Sequence, residues 1–337
     1  VVTAIVPTYR RAALLKRAVM SVLAQTRQEL LVLVCDNASD DGTAELVGQL
    51  ARQDSRVIYH RHPENMGAQF NFQYGLDAVT TEMFSFLSDD DLLFPDFYRR
   101  AVDSLETFTD AGFYASQSVL YDVSRGSHRL RPEKHWRPGR HEAAESARLM
   151  LEHPFLWTSC VFRTAVRDTL GELAPVPMGD VLFTVKAAYA FPFVADLRVG
   201  ALFSETDSNY SRGLPIDTLR RSSEVARDWA AGLPWLTATD RDEMVRIVDT
   251  LIIDMARRIL RESLEAGDYE RFREVSDCLF ERGGMSGSRR AKLAFGRRGG
   301  WSFRALSAWT RVQSAAKRRQ RSGRKPMSIS DILAKYR

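Results

Sequence analysis

Three consecutive carboxylates, Asp89-Asp90-Asp91, follow the apolar run Met83–Leu87, and they are the residues in this sequence best suited to chemistry. Like charges within a few ångströms repel, and each raises the others' pKa unless a cation offsets them. A hard divalent ion, Mg2+ or Mn2+, is the natural partner for one or two such groups together with a substrate diphosphate. Bridging the two phosphates, it would stabilise charge developing on a departing nucleotide. A structural reading competes, because aspartates ahead of Leu92-Leu93-Phe94-Pro95 also suit a helix N-cap and its first turn.

Three more polar punctuations stand just after apolar runs: Pro7-Thr8-Tyr9, Asp36-Asn37-Ala38-Ser39-Asp40-Asp41-Gly42-Thr43, and Asn65-Met66-Gly67. The carboxyl ends of strands in an open α/β sheet line one crevice, so all four segments would converge there on a nucleotide. The Asp36 carboxylate suits the imide N–H of a uracil or thymine ring, with Thr8 and Tyr9 framing the base. Capping is its alternative, and for Asp41 it is the better reading, since the segment turns into a helix. Asn65 tolerates left-handed backbone and Gly67 permits close approach, which fits a ribose or base edge and a plain turn about equally.

The elements needed to position these residues are legible in the first half. Strands are expected near Thr3–Val6, Leu30–Cys35, Val57–Arg61 and Met83–Leu87, in the pattern of a mostly parallel sheet. Leu14, Leu15, Ala18, Val19, Val22 and Leu23 make one apolar helix face. Further helices are expected after Thr43, Gly67 and Pro95. Later, Phe113–Val123 reads as a strand and Ser124–Arg140 as a polar loop of the kind that shapes substrate sites. Ala143–Glu152 and Asp180–Ala190 read as helices, and Thr158–Arg163 and Phe193–Phe203 as extended. Ser222–Phe280 reads as all helical, with Val245, Val248, Leu251, Ile252 and Met255 on one face.

With 45% hydrophobic and 27% charged residues in 337, the chain can bury a full-sized core and reads as globular. No apolar run approaches the roughly 18–20 residues a spanning helix needs, and the opening Val1-Val2-Thr3-Ala4-Ile5-Val6 lacks a basic leader, which argues against secretion. Three distant cysteines, Cys35, Cys160 and Cys278, fit a reducing cytoplasm rather than a disulfide framework. The six histidines show no metal-ligand spacing. Charge is strongly asymmetric: residues 282–337 hold 16 Lys or Arg against the single acid Asp331, about +15, which leaves about −10 for residues 1–281 out of a total of +5.

The ordered set Ile5-Val6-Pro7-Thr8-Tyr9, Asp36 to Thr43, Asn65-Met66-Gly67 and Phe86-Leu87-Ser88-Asp89-Asp90-Asp91 resembles the inverting family 2 glycosyltransferases, over about residues 1–210. The resemblance implies an α/β GT-A fold, a Rossmann-like nucleotide-binding mixed sheet flanked by helices, here with a helical C-terminal extension. It implies a catalytic domain at 1–215, divided into a nucleotide-sugar half (1–110) and an acceptor half (111–215), then a helical extension (216–281) and a basic amphipathic tail (282–337). The family's acidic metal motif falls on Ser88 to Asp91, with Ser88 where aspartate is often found. Asp90 becomes the first metal ligand, Asp89 a neighbour of the ribose, and Asp91 a metal-shell or supporting group. Pro7, Thr8, Tyr9, Asp36, Asn65 and Gly67 become donor contacts, with Asn37 in the place of a frequent second acid.

Inversion needs a carboxylate to deprotonate the acceptor hydroxyl while the diphosphate departs from the opposite face. In the family that base lies in a Glu-Asp pair opening a helix; Met178-Gly179-Asp180-Val181-Leu182-Phe183-Thr184 is similar, with Gly179 in the glutamate's place and Asp180 as the base. The alternative for Asp180 is an ordinary first-turn aspartate. Lys186, about two turns on, reads as structural or solvent-facing. Tyr210 and Arg212 follow the last expected strand, where Arg212 suits the diphosphate. The implied activity is transfer from a UDP, dTDP or GDP sugar to a hydroxyl of a glycan or lipid-linked glycan, in surface polysaccharide synthesis. The rivals are a polyprenyl-phosphate sugar synthase and a non-catalytic carbohydrate-binding protein on the same fold.

In the tail, Trp301, Ala305, Ala308-Trp309 and Val312 recur near the helical period among Arg304, Arg311 and Lys317-Arg318-Arg319. That composition suits an interfacial helix on an anionic membrane, placed at 289–325, on the inner face of the cell membrane. A packing helix followed by a solvated tail is the alternative. Nucleic acid is the weaker partner because the body is acidic.

Overall fold

The β-branched runs of the first ninety residues form four parallel strands: β1 (Val2–Thr8), β2 (Leu30–Asp36), β3 (Val57–Arg61) and β4 (Met83–Phe86), side by side in the order β3-β2-β1-β4. The structure, a computed structural model, describes residues 1–131, 135–143, 145–176, 179–206, 216–232, 237–282, 287–321 and 327–336. β1, β2 and β4 are largely apolar and buried, as strands covered on both faces by helices require, whereas β3 at the sheet edge is mixed and partly exposed. α1 (Ala12–Leu23), α2 (Thr43–Gln53) and α3 (Ala68–Asp77) supply the crossovers, and α1 buries Leu15, Ala18, Val19 and Val22 of its expected face. Register aligns the carboxyl ends: Thr8 stands opposite Asp36, and Asp36 opposite Arg61.

Beyond β4 come a two-residue strand β5 (Leu92–Leu93), α4 (Phe97–Thr107), β6 (Phe113–Asp122), β7 (Ser127–Arg131), β8 (Gly139–His141), α5 (Ala147–Glu152), β9 (Cys160–Arg163), α6 (Thr164–Leu170), α7 (Gly179–Ala190) and β10 (Phe193–Glu205). The sheet runs on from β4 through β9, β6 and β10 to β5. β9 is antiparallel to both neighbours and β10 parallel to β6, so the sheet is mixed. The fold is the expected α/β class, a mixed sheet flanked by helices.

Three local readings differ. The segment expected as a polar loop at Ser124–Arg140 contains β7, paired with β6, and the start of β8, paired with β10. Both are polar edge strands with partly exposed side chains on each face, so neither alternation nor apolar content marks them. Thr158 lies in a 3-10 turn, Trp157–Ser159, ahead of β9. The acidic triplet leads into β5 rather than a helix, and α4 starts only at Phe97, with Asp96 at its N-cap position.

The chain divides into two compact units, Val1–Thr206 with Met327–Arg337, and Asp207–Pro326. The second is helical: α8 (Ile216–Ala231), α9 (Ala238–Ala266), α10 (Tyr269–Arg282), α11 (Gly287–Arg297) and α12 (Gly300–Arg321). α9 opens on a reciprocal cap between Thr237 and Asp240 and buries Met244, Val248, Ile252, Ala256 and Ile259, a stripe displaced slightly from the one expected. In the first unit, α13 (Ile329–Lys335) sets Ile332 among Leu92, Phe94, Val119, Tyr121, Val199 and Leu202. All three cysteines are free and buried.

α3 approaches the sheet through Gly75, where an added Cβ would lie 2.3 Å from Ile5 Cγ2 and 3.2 Å from Cys35 Sγ. Gly75→Ala is expected to destabilise the protein by about 1–3 kcal/mol in chemical denaturation. Gly48→Ala, whose nearest neighbour is the flexible end of Arg52 at 3.6 Å, is expected to gain stability instead.

Candidate functional site

The site is built where the parallel strands end. Thr8, the last residue of β1, donates its hydroxyl to Asp89 Oδ2 at 2.8 Å. Arg11, at the N-cap position of α1, reaches both acids: its Nη1 lies 3.1 Å from Asp89 Oδ1 and 3.2 Å from Asp90 Oδ2. Asp89 and Asp90 are nearly inaccessible to solvent. Burial pushes Asp89 up to about 6 even though Arg11 opposes it, and burial likewise raises Asp90 against the pull of Arg11. Among the described residues the two carboxylates share hydrogen bonds from one guanidinium, with Arg17 acting on Asp90 through its charge alone, so the site is short of paired positive charge.

Asp91 is placed differently. It is fully buried; Oδ1 accepts from the Ser204 N–H at 2.9 Å and Oδ2 from the Thr158 hydroxyl at 2.9 Å. The Ser204 hydroxyl in turn donates to the Asp90 carbonyl at 2.6 Å. Burial, then the charge of Asp90, holds the Asp91 carboxyl well above the usual range. Asp91 thus ties the acidic turn to β10 and to the Trp157–Ser159 turn.

The β1 and β2 loops are stitched together beside this turn. Arg10 and Ala38 both occupy left-handed backbone, φ 54° and 64°, which is uncommon for residues with side chains and needs surrounding support. The support is visible: Arg10 N–H donates to Ser39 Oγ at 2.8 Å, and the Arg10 side chain pairs with Asp40. Asp41 accepts from Ala12 N–H at the start of α1 and from Thr43 at the start of α2, the capping role expected of it. Asp36, fully buried, accepts from Ser39 N–H at 2.9 Å and from the Tyr59 hydroxyl at 2.7 Å. Arg61 Nε also lies 3.7 Å from Asp36 Oδ2.

Asn37 joins the third loop to the second. Its Oδ1 accepts from Met66 N–H at 2.8 Å and its Nδ2 donates to Asn65 Oδ1 at 2.7 Å. Gly67 precedes α3 at φ 86° and ψ 158°, a conformation essentially reserved for glycine. Tyr9 is half-buried, with the Arg10 guanidinium 5.0 Å from its ring centre.

Asp180 opens α7, and burial pushes its carboxyl up to about 6, with the Val181 N–H and the charge of Arg131 opposing. Phe183, one turn on, lies 6.3 Å from Phe86 of β4 and 5.2 Å from Phe162 of β9. Trp157 stacks on Phe86 at 4.3 Å. The helix carrying Asp180 is therefore fastened to the strand that leads into the acidic turn and to the turn whose Thr158 holds Asp91. Gly179 has a steric reason, since a Cβ there would lie 2.6 Å from the Ala174 carbonyl oxygen. Lys186 is buried and donates to the Leu170 carbonyl at 3.3 Å, so the structural reading holds and the solvent-facing one does not. Tyr210 and Arg212 lie outside the described residues.

Arg11, Thr158 and Ser204 are members of the site that the sequence did not single out. Arg11 carries a usable signal: a cation at a helix N-terminus opposes the helix dipole and so points to nearby anions. Thr158 and Ser204 arrive from remote segments and give no local sign. Among the described residues no three His, Cys, Asp or Glu side chains converge as a metal set. Hard oxygen donors short of positive charge nevertheless fit Mg2+ or Mn2+, which use one or two carboxylates and take their other oxygens from phosphate and water.

Arg11→Ala is expected to lower the melting temperature at pH 7. Without Arg11 the two carboxyls titrate still higher in the folded state, so stability falls as pH rises through those values, and the loss should shrink at acid pH as the carboxyls take up protons. Melting curves across pH test this, and a penalty independent of pH would mean that Arg11 acts by packing alone.

Comparison with known proteins agrees with this geometry. The family model described as Glycosyl transferase family 2 matches residues 3–170. The chain is 37% identical over 90 residues to GalNAc(5)-diNAcBac-PP-undecaprenol beta-1,3-glucosyltransferase of Campylobacter jejuni, covering 26% of this chain and 29% of that protein. It is 33% identical over 118 residues to the succinoglycan biosynthesis protein ExoW of Rhizobium meliloti, covering 34% and 37%. These matches span well under half of each relative's length. The solved structure of S. aureus TarS 1-349 in complex with UDP-GlcNAc superposes with a TM-score of 0.62 at 14% identity, over 95% of this chain and 91% of that one, a likeness of fold.

Proposed function

The chain belongs to glycosyl transferase family 2, a GT-A glycosyltransferase, and from that premise we propose that it transfers a sugar with inversion from a UDP, dTDP or GDP donor to a hydroxyl of a glycan or lipid-linked glycan, in surface polysaccharide synthesis. The observation that carries the proposal is the joining of Thr8, Arg11, Asp89 and Asp90 at the strand ends, with Asp36, Asn37 and Asn65 in the adjoining loops. In support of the acceptor class, the Campylobacter relative is named for transfer to a PP-undecaprenol-linked glycan; in support of a nucleotide-sugar donor, the similarly folded TarS was solved with UDP-GlcNAc.

In this reading Asp36 receives the base, Pro7, Thr8 and Tyr9 frame it, and Asn65 and Gly67 border the ribose, which Asp89 also contacts. Asp90 is the metal ligand, and Asp91 serves the metal shell as the brace behind it. Mn2+ or Mg2+, when bound, supplies charge stabilisation to the departing diphosphate. Arg212 is assigned to the same diphosphate. Asp180 takes the proton of the acceptor hydroxyl. A carboxyl raised to about 6 is still ionised at neutral pH and is a stronger base than an ordinary aspartate. The catalytic domain is taken as 1–215, with 1–110 for the donor and 111–215 for the acceptor, followed by the extension (216–281) and a tail (282–337) that seats the enzyme on an anionic membrane surface.

Asp180→Asn is expected to reduce transfer by about a hundred- to ten-thousandfold while leaving donor affinity unchanged in calorimetry. In the unsubstituted enzyme kcat/KM should climb with pH up to about 6 and then level, because the base must be ionised. Transfer retained by the Asn variant would point instead to a phosphate acceptor, as in a polyprenyl-phosphate sugar synthase, which needs no base.

A further inference from the structure

α12 carries two apolar faces; one is buried inside the helical unit, and the other meets α11 only at its edge, through Phe295 beside Trp301 and Lys292 beside Trp309, among the described residues. The inner face is accounted for. Phe303 lies 5.1 Å from Tyr269 and 5.3 Å from Phe272, Leu306 is buried, and the Ser307 hydroxyl donates to the Leu264 carbonyl at 2.5 Å. The opposite face presents Trp301, Trp309 and Val312, exposed by 76%, 48% and 66%. Positions 301, 305, 308–309 and 312 recur once per helical turn, so these side chains and Ala305 and Ala308 form one ridge. Such large exposed apolar side chains along a single helix line mark a contact surface rather than scatter.

Charge identifies what the ridge meets. Arg304 is exposed along its border, Arg311 is exposed too but donates through Nη2 to the Ser307 hydroxyl at 2.9 Å, and the Lys292 ammonium of α11 sits 4.3 Å from the centre of the Trp309 ring. Between 289 and 325 the sequence has 13 Lys or Arg and no acid. Tryptophans beside a dense positive rim fit the boundary of an anionic bilayer, where indole rings sit among headgroups and basic side chains meet phosphate. Among the described residues no helix is long and apolar enough to cross a membrane, so the contact is lateral.

We propose that the Trp301–Trp309–Val312 ridge of α12 inserts into the headgroup region of an anionic phospholipid surface, with Arg304 and Arg311 against the lipid phosphates. This deepens, and rests on, the reading of the enzyme as one that serves a lipid-linked acceptor. Cosedimentation of the full chain with vesicles tests it. Phosphatidylcholine vesicles containing about 30% phosphatidylglycerol should retain the protein, pure phosphatidylcholine should not, and about 0.5 M salt should weaken retention. The double variant Trp301→Ala, Trp309→Ala should bind anionic vesicles about tenfold or more weakly, with its melting temperature unchanged because both side chains are exposed.

Equal retention of wild type and the double variant would overturn the proposal. So would a wild-type dimer in gel filtration that the double variant abolishes, since the ridge would then meet a second copy, or binding to heparin without binding to vesicles. Donor hydrolysis measured in the same preparations separates this proposal from the catalytic one. Absent hydrolysis counts against the transferase, whereas intact hydrolysis without vesicle binding counts against the ridge alone.

Discussion

Two buried carboxylates held against one guanidinium set the terms for this protein. Asp89 and Asp90 are taken almost wholly out of water, with Arg11 as the cation that, among the described residues, hydrogen-bonds both, and burial lifts the pKa of each. Such an arrangement is unfavourable for folding taken alone. It persists because Thr8 and Arg11 contribute hydrogen bonds and because Asp91, buried deeper still, fixes the turn to β10 and to the Trp157–Ser159 segment. In the proposed reading, the remaining deficit of positive charge is what a divalent cation carrying the diphosphate would offset.

The rest of the first unit serves to hold that turn and its surroundings still. Register brings Thr8, Asp36 and Arg61 to one edge. Left-handed backbone at Arg10 and Ala38 is maintained by the bonds between their loops, and Asn37 extends the lacing to Asn65 and Met66. The aromatic contacts of Phe86 with Trp157 and Phe183 carry the same rigidity to the helix that begins with Asp180. Binding groups on loops acquire precision here from a rigid sheet beneath them.

Sequence made the first ninety residues legible for a physical reason. Parallel strands covered on both faces are continuous apolar runs, and the residues that end them are short and polar, so β1, β2 and β4 and the residues Thr8, Asp36 and Asp89 to Asp91 stand out. The segment from β6 to β10 did not stand out in this way. β7 and β8 are polar edge strands, and the turn at Trp157–Ser159 is recognised by a hydrogen bond to an acid 67 positions earlier. Gly179 looked like a departure from a family pattern, and only the closeness of the Ala174 carbonyl explains it. The placement of Ile332 among Leu92, Phe94 and Leu202 likewise has no local cue, because a seven-residue helix after a basic stretch reads as tail.

The direct measurement of the central claim is calorimetric titration of UDP, dTDP and GDP into the protein and into Asp90→Asn, each with and without Mn2+. One of the three nucleotides should bind the unsubstituted protein at least about tenfold more tightly when Mn2+ is present, and the Asn variant should lose that gain while keeping its metal-free affinity. Binding that is equally strong without Mn2+, or a Mn2+ gain that survives in the variant, would contradict a metal-holding role for the acidic turn.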